Sequence, residues 1–382
     1  MQKIYLVPKI IFGDDALDYL EDMTNEQIVM ITDRFIASLP SFIKIKEGLA
    51  ANNAVTVFKD VVPDPLIENI IEGIRAFGET IPTVIIAIGG GSAIDAAKGI
   101  IYFACKTSAQ IDRNLLQFIA IPTTSGTGSE VTDFAVITDK DKGVKYPLVE
   151  QDILPDVALL DTDLVMELPS TVTADTGIDV LTHAIEAYVS TNASTFSDAL
   201  AEKAIKLVFE NLPEAYAAGK ANKVAREKMH QASTIAGLAF TMASLGINHS
   251  LAHAIGGKFH LVHGRINGVL LKNVILYNAG LLDNQRLPAT DRALKKYGEI
   301  AQMIGVNIKN PKFAVQQLIQ NIQRLLTQLD MPQTFSELKI DESQYINERS
   351  AIVQAALNDR CTPTNPRKPN ISELESLLKR TY

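Results

Sequence analysis

Two cysteines in 382 residues, Cys105 and Cys361, are too few for a disulfide framework and fit a reducing compartment such as the cytosol. Positive charge is short as well: 36 Lys and Arg face 44 Asp and Glu, for a net charge of -8. With no Lys/Arg run, the chain lacks the basic face that a nucleic-acid partner requires. No apolar run reaches the length of a membrane span, and the start, Met1-Gln-Lys-Ile-Tyr-Leu-Val-Pro8, has no signal-peptide core followed by a cleavage site. Histidine is scarce, six in all. What remains, 47% hydrophobic and 21% charged residues, is the composition of a globular protein long enough for two domains.

The first part alternates β-rich runs with amphipathic segments. Gln27 to Thr32, Ala54 to Phe58, Thr83 to Ile88 and Gln117 to Ile121 read as continuous apolar strands, with helices over 64–78 and 92–104. Buried parallel strands separated by helices predict an α/β layer fold. After Glu167-Leu-Pro169-Ser-Thr171 long helical patterns take over. The expected division is therefore an α/β domain over 1–168 and an all-helical domain over 169–382. Cys361-Thr-Pro-Thr-Asn-Pro-Arg-Lys-Pro369 reads as an irregular loop before a last helix at 371–380. No internal repeat is visible.

Four of the six histidines, His249, His253, His260 and His263, fall within fifteen residues. Upstream, Gly177-Ile-Asp179-Val-Leu-Thr-His183-Ala-Ile-Glu186 reads as a helix carrying Asp179 and His183 four positions apart. Such a pair projects from one helix face, and His249 and His253 repeat the spacing. Asp179, His183, His249 and His263 would supply one carboxylate and three imidazoles, a set suited to Fe(II), Zn(II) or Co(II) and too rich in nitrogen for Mg or Ca. An Asp/His pair four apart is also an ordinary helix-stabilising contact, and the weight rests on two such pairs with a further histidine nearby. His230 and His260 are read as structural.

Two loops bear on an anion. Gly89-Gly-Gly-Ser-Ala-Ile-Asp-Ala-Ala-Lys98 follows a strand and opens a helix, where glycines admit a diphosphate and the helix start offers N–H groups. It is neither G-x-G-x-x-G nor a Walker A. Pro122-Thr-Thr-Ser-Gly-Thr-Gly-Ser129 follows another strand with clustered hydroxyls, and loops at the ends of parallel strands are where open α/β sheets bind nucleotides. Asp33, directly after a strand, would suit a ribose 2′-hydroxyl and so favour NAD over NADP; it could equally cap a helix.

Taken together, these motifs resemble the iron-dependent (group III) alcohol dehydrogenases. The resemblance covers essentially the whole chain: Gly89 to Lys98, Ala120 to Thr132, Thr176 to Tyr188, Gly246 to Gly264 and Asp359-Arg-Cys-Thr-Pro-Thr-Asn-Pro-Arg367. The stretch Asn248 to His260 is similar to the alcohol-forming halves of bifunctional aldehyde/alcohol dehydrogenases and to the short-chain alcohol dehydrogenases of propanediol and ethanolamine utilisation. The resemblance implies a Rossmann-like nucleotide-binding domain joined to an all-α domain, as in the dehydroquinate synthase-like fold.

It implies Asp179, His183, His249 and His263 as metal ligands and His253 as a further histidine near the nicotinamide, acting in proton transfer. Gly90, Gly91, Ser92 and Asp95 match the diphosphate loop, Thr123, Thr124 and Thr127 the second loop, and Lys145 a lysine near the nicotinamide ribose. Asp33 matches the ribose-reading position. Phe240 and Cys361 fall by the substrate pocket, although Phe240 also reads as plain core. The implied cofactors are Fe(II), with Zn(II) as an alternative, and NAD(H). The implied reaction interconverts small primary alcohols and aldehydes, in a cytoplasmic or microcompartment-associated homodimer or higher oligomer, with a diol-active reductase of the 1,3-propanediol or lactaldehyde type as the alternative. A glycerol dehydrogenase, a dehydroquinate synthase-like lyase and a silent nucleotide- or metal-sensing module or filament subunit are rivals that fit the intact ligand set less well.

Overall fold

The computed structural model describes residues 8–78, 80–140, 144–282 and 291–382, the side chains of Val144 and Lys145 excepted. They fall into two compact units, Met1–Glu167 and Leu168–Tyr382. Leu168 belongs with the second, where its carbonyl accepts from Arg226 Nη2 at 2.8 Å.

Among the described residues of the first unit there are eight strands: β1 (Lys9–Phe12), β2 (Gln27–Ile31), β3 (Ala54–Phe58), β4 (Val84–Gly89), β5 (Gln117–Pro122), β6 (Phe134–Asp139), β7 (Val144–Val149) and β8 (Val157–Leu160). Six of them form one parallel sheet in the order β1-β8-β5-β4-β2-β3. Its helices are α1 (Arg34–Ala37), α2 (Pro40–Ala50), α3 (Ile67–Arg75) and α4 (Gly91–Thr107). β4 is buried at every position because sheet neighbours lie on both sides and apolar clusters on both faces. That is why Val84-Ile-Ile-Ala-Ile88 is uniformly apolar.

The sheet differs in three ways from what the apolar runs alone convey. β3 is an edge strand with Ala54 and Thr56 exposed, so its apolar run is buried on one face only. β1 and β8, four residues each, are too short to stand out as patterns, yet they extend the sheet. β6 and β7 form a separate antiparallel pair, and β6 alternates half-buried and buried residues as a one-faced strand does. The helices expected at 64–78 and 92–104 run over Ile67–Arg75 and Gly91–Thr107.

β4 and β5 pair in register, with Gly89 opposite Pro122, so the chain leaves the sheet at neighbouring points to form the glycine-rich and threonine-rich loops. β2 pairs with the other side of β4, which brings Asp33 to the same end of the sheet. Sequence-distant motifs thereby meet at strand carboxyl ends, where open α/β sheets bind their ligands.

The second unit is helical: α5 (Ser170–Val189), α6 (Thr195–Ala218), α7 (Lys223–Ala243), α8 (Ile247–Phe259), α9 (His263–Asn278), α10 (Arg292–Met303), α11 (Pro311–Gln328), α12 (Glu342–Asn358) and α13 (Ile371–Lys379). No strand occurs in it among the described residues. α5 is buried all round along most of its length, as a central helix must be, with Ile178, Leu181 and Ile185 fully enclosed. Each such side chain contributes roughly 1.5–3 kcal/mol. The Cys361–Pro369 stretch holds one 3-10 turn, Thr362–Thr364, and Asn365 pins it by accepting from Ile247 N at 3.2 Å and donating to Asn278 Oδ1 at 2.8 Å. No single helix among the described residues is long and apolar enough to cross a membrane.

His230 is buried in α7, and burial pushes its imidazole down to about 4. An unfolded chain takes up this proton near 6.5, so between those values the unfolded state binds more protons than the folded one. The contribution is present above about 6.5 and is lost as pH falls towards 4, at most about 3 kcal/mol. Replacing His230 by Gln should therefore flatten the decline of Tm between pH 7 and 4; thermal melts showing the same slope in both proteins would count against this origin.

Candidate metal centre and phosphate loops

In the helical unit, α5 carries Asp179 and His183 one turn apart, α8 carries His249 and His253, and α9 begins at His263. A Cβ at Gly264 would run into the backbone carbonyl of Asp175, so only glycine lets the first turn of α9 lie this close to α5. That approach brings His263 Nε2 to 3.7 Å from Asp179 Oδ1, and His249 Nε2 stands at the same distance. Ligand atoms of Asp179, His249 and His263 all lie within 4.8 Å of one another.

His183 does not join that set. Its ring stacks on His249, with centroids 4.5 Å apart, and on its other neighbour Phe240 at 4.6 Å. Its Nδ1 is buried with no hydrogen-bond partner, which costs about 1–3 kcal/mol unless a bound group satisfies it. A carboxylate, two imidazoles and a third imidazole with an orphaned nitrogen beside them fit a divalent transition-metal ion. Phe240, read both as pocket aromatic and as core, is half-buried and forms a wall of His183.

Sequence reasoning missed the groups that hold these ligands. Glu186 Oε2 accepts from His249 Nδ1 at 2.6 Å, while Oε1 accepts the Asn248 backbone N–H at 2.7 Å. With a proton held on Nδ1, Nε2 is the nitrogen that faces Asp179 and would offer its lone pair to a metal, as a metal-binding imidazole requires. Asn267 Nδ2 donates to Asp179 Oδ1 at 2.6 Å, and Asn248 Nδ2 donates to Asn267 Oδ1 at 2.8 Å. The spacing carried a signal for both: Glu186 lies seven residues after Asp179 on the same helix face, and Asn267 four after His263.

Burial raises the Asp179 carboxyl, but His183, His263 and His249 outweigh it and hold the group well below the usual carboxylate range. Burial lowers His183 to about 3 and keeps it neutral. Burial also works against protonation of His249, yet the Asp179 and Glu186 carboxylates beside it prevail and lift it to about 9.

His253 stands apart from this set, a third exposed, with its ring stacked over His263 at 5.4 Å. Its Nδ1 bonds Asp359 Oδ2 at 2.9 Å, and Asp359 Oδ1 accepts from Cys361 N at 2.8 Å and Ser250 Oγ at 3.1 Å. Burial raises the Asp359 carboxyl, and the bonds from His253 and Cys361 more than reverse this, holding it well below its ordinary value. Cys361 is buried beside it, and burial pushes its thiol up. The remaining histidines lie elsewhere: His260 ends α8 in the left-handed region at φ 52°, and His230 is in the α7 core.

In the α/β unit, α4 begins at Gly91 with no side chain capping it, the kind of helix start that can receive an anion. A Cβ on Gly91 would lie 2.7 Å from Thr127 Cγ2, so glycine there lets the two loops touch, and one on Gly90 would sit tightly, 3.3 Å from Thr124 Cγ2. Thr123 N donates to Gly89 O at 2.9 Å. Ser92 lies in the first turn of α4.

Asp95 is occupied by the protein itself: its carboxylate accepts from Ser129 Oγ at 2.6 Å and Val136 N at 3.0 Å. Lys98, unremarked in the sequence, is fully buried and donates to Ser129 O, Ser129 Oγ, Thr132 Oγ1 and Phe134 O at 2.6 to 2.9 Å. Burial pushes its ammonium down to about 8. Asp95 and Lys98 thus tie the second loop to α4. Asp33 caps α1, accepting from Ile36 N at 2.9 Å, the second of its two sequence readings. Lys145 pairs with Thr138 through its backbone, and its side chain lies outside the described residues.

Comparison with known proteins follows the same two units. Residues 8–162 match the family model described as iron-containing alcohol dehydrogenase, and residues 173–382 match the model of the C-terminal part of the Fe-containing alcohol dehydrogenase family. The 1-propanol dehydrogenase PduQ of Citrobacter freundii is 44% identical over 381 residues, covering 99% of each chain. The bifunctional aldehyde-alcohol dehydrogenase AdhE of Escherichia coli K12 is 39% identical over 96% of this chain and 44% of its own length. Among solved structures, a 1,3-propanediol oxidoreductase superposes over 100% of both chains with a TM-score of 0.88 at 32% identity.

Proposed function

Since the chain belongs to the iron-containing alcohol dehydrogenase family, we propose that it interconverts small primary alcohols and aldehydes, propanol/propionaldehyde or ethanol/acetaldehyde, using NAD(H) and Fe(II). The observation that carries this reading is the convergence of Asp179, His249 and His263, with His183 stacked alongside and the His253–Asp359 pair next to them. A bound divalent ion would supply Lewis acidity at the substrate oxygen, and a bound nicotinamide the hydride chemistry.

The chain's own residues do the rest. Asp179, His183, His249 and His263 hold the ion, and the charges of Asp179 and Glu186 balance a dication that neutral imidazoles alone would leave uncompensated. Glu186 keeps the His249 proton on Nδ1. Asp359 does the same for His253, leaving Nε2, on a partly exposed ring, as the atom that exchanges a proton with the alcohol side of the reaction. Phe240 and Cys361 border the substrate. Gly90, Gly91, Ser92 and the α4 N-terminus receive the diphosphate, with Thr123, Thr124 and Thr127 on the second loop, while Asp33 and Lys145 serve the riboses. Asp95 contributes by holding that loop. Zn(II) is the substitute ion, and the working form is a cytoplasmic or microcompartment-associated homodimer or higher oligomer.

The likeness to a 1,3-propanediol oxidoreductase favours a second reading, a diol-active enzyme. An anaerobic assay of NADH oxidation tests both, with metal-free protein reloaded by Fe(II) or Zn(II) and offered acetaldehyde, propionaldehyde and 3-hydroxypropionaldehyde. We expect metal-dependent turnover with the unsubstituted aldehydes at the higher kcat/KM. A preference for the hydroxyaldehyde would select the diol reading, and no metal-dependent turnover with any aldehyde would sink both.

A further inference from the structure

Outside the set formed by Asp179, His249 and His263, three other ligand-bearing side chains lie together: His253 from α8 and Asp359 and Cys361 from the turn that follows α12. Their ligand atoms are within 4.8 Å of one another. The cluster is built, not incidental. Asp359 Oδ2 holds His253 Nδ1 at 2.9 Å, and its Oδ1 takes the Cys361 N–H at 2.8 Å and the Ser250 hydroxyl at 3.1 Å. Thr362 Oγ1 in turn donates to Ser250 Oγ at 2.8 Å and fixes the turn that carries the cysteine.

Nitrogen, carboxylate oxygen and sulfur make a donor set unlike that of the neighbouring centre. Thiolate donors select d10 and softer ions, whereas a set of imidazoles and carboxylate has no such bias. We propose that His253, Asp359 and Cys361 form a second metal site, specific for thiophilic divalent cations such as Zn(II), whose occupation inhibits the enzyme by capturing His253.

The step balances. The incoming cation displaces the Cys361 thiol proton to solvent, and His253 moves its proton from Nδ1 to Nε2 as Nδ1 becomes a ligand. Asp359 binds as the carboxylate it already is. Thiolate and carboxylate together cancel the charge of the dication, so the filled site is neutral in its half-buried surroundings. The cation enters from the exposed edge of His253, whose side chain is 34% accessible against 17% for Asp359, and solvent completes the tetrahedral shell from that side. Donor chemistry would thus favour a thiophilic cation over iron at the thiolate-bearing site. This inference goes beyond the proposed activity, and its binding readout does not depend on it.

The test uses Cys105→Ser protein, to silence the other cysteine, with its iron loaded and monitored, titrated anaerobically with Cd(II). The expected result is ultraviolet thiolate-to-cadmium absorption that saturates at one added equivalent while iron is retained, with aldehyde reduction falling in step. Adding Cys361→Ser or Cys361→Ala should abolish the absorption, and Asp359→Asn should weaken cadmium binding about tenfold or more. No thiolate absorption in the Cys105→Ser protein, or absorption that survives both Cys361 variants, overturns the site. Absorption that saturates with no loss of turnover overturns the inhibitory role.

Discussion

Asp179→Asn is expected to abolish metal retention and to lower turnover by roughly 1000-fold or more, because Lewis-acid stabilisation supplies several kcal/mol and each 1.36 kcal/mol is a factor of ten. The amide keeps the size of the side chain and can still accept the Asn267 bond through its oxygen. What it loses is the charge. Glu186 then stands alone against a dication, and the carboxylate that His249 and His263 face at 3.7 Å is gone. The metal-free variant should lose some stability, since His249 and His263 no longer face a carboxylate and removing one partner of a buried pair is costly. Metal content after dialysis, circular dichroism and steady-state turnover separate these effects. A variant that keeps its metal and more than about a tenth of the turnover would remove Asp179 from the ligand set.

Glu186→Gln should weaken metal binding by about 10–100-fold, the usual effect of altering the partner that orients a ligating histidine. Nothing about this residue touches the ion directly. Its carboxylate sets which nitrogen of His249 carries the proton and adds the second negative charge, and an amide of the same shape does only part of the first task and none of the second. In the metal-free protein the same change should lower the His249 imidazole from about 9, because Glu186 is one of the two groups that lift it. Chelator competition reports the affinity, and NMR titration of the ring protons reports the imidazole. Unchanged affinity together with an unmoved His249 titration would reduce Glu186 to a packing residue.

The parts of this protein that could be read from its sequence are those written in local spacing. Asp179 with His183 and His249 with His253 are helix-period pairs, visible because one helical turn brings residues four apart onto one face. The Gly89-Gly-Gly91 run announces a strand-to-helix turn because glycine adopts backbone conformations such as the φ of +156° at Gly89 that other residues rarely take. The core strands announce themselves by unbroken apolar runs. Asp359 could not be read in the same way, since it acts on His253, 106 positions away; Asn267 sits one turn after His263, but that its partner is Asp179, 88 positions away, is decided only by tertiary packing. The edge position of β3 and the antiparallel pairing of β6 with β7 were hidden for the same reason.

The sequence by itself determined the class of the protein, an α/β unit followed by a helical one, and the residue types available for a metal and a dinucleotide. Local periodicity and steric exclusion suffice for that. The tertiary structure alone decided how the histidines divide. It joined His249 and His263 to Asp179, stacked His183 against His249, and turned His253 away towards Asp359 and Cys361. That division turns on the close approach of α9 to α5 at Gly264 and on buried hydrogen bonds that fix each imidazole's proton, and both depend on elements far apart in the chain.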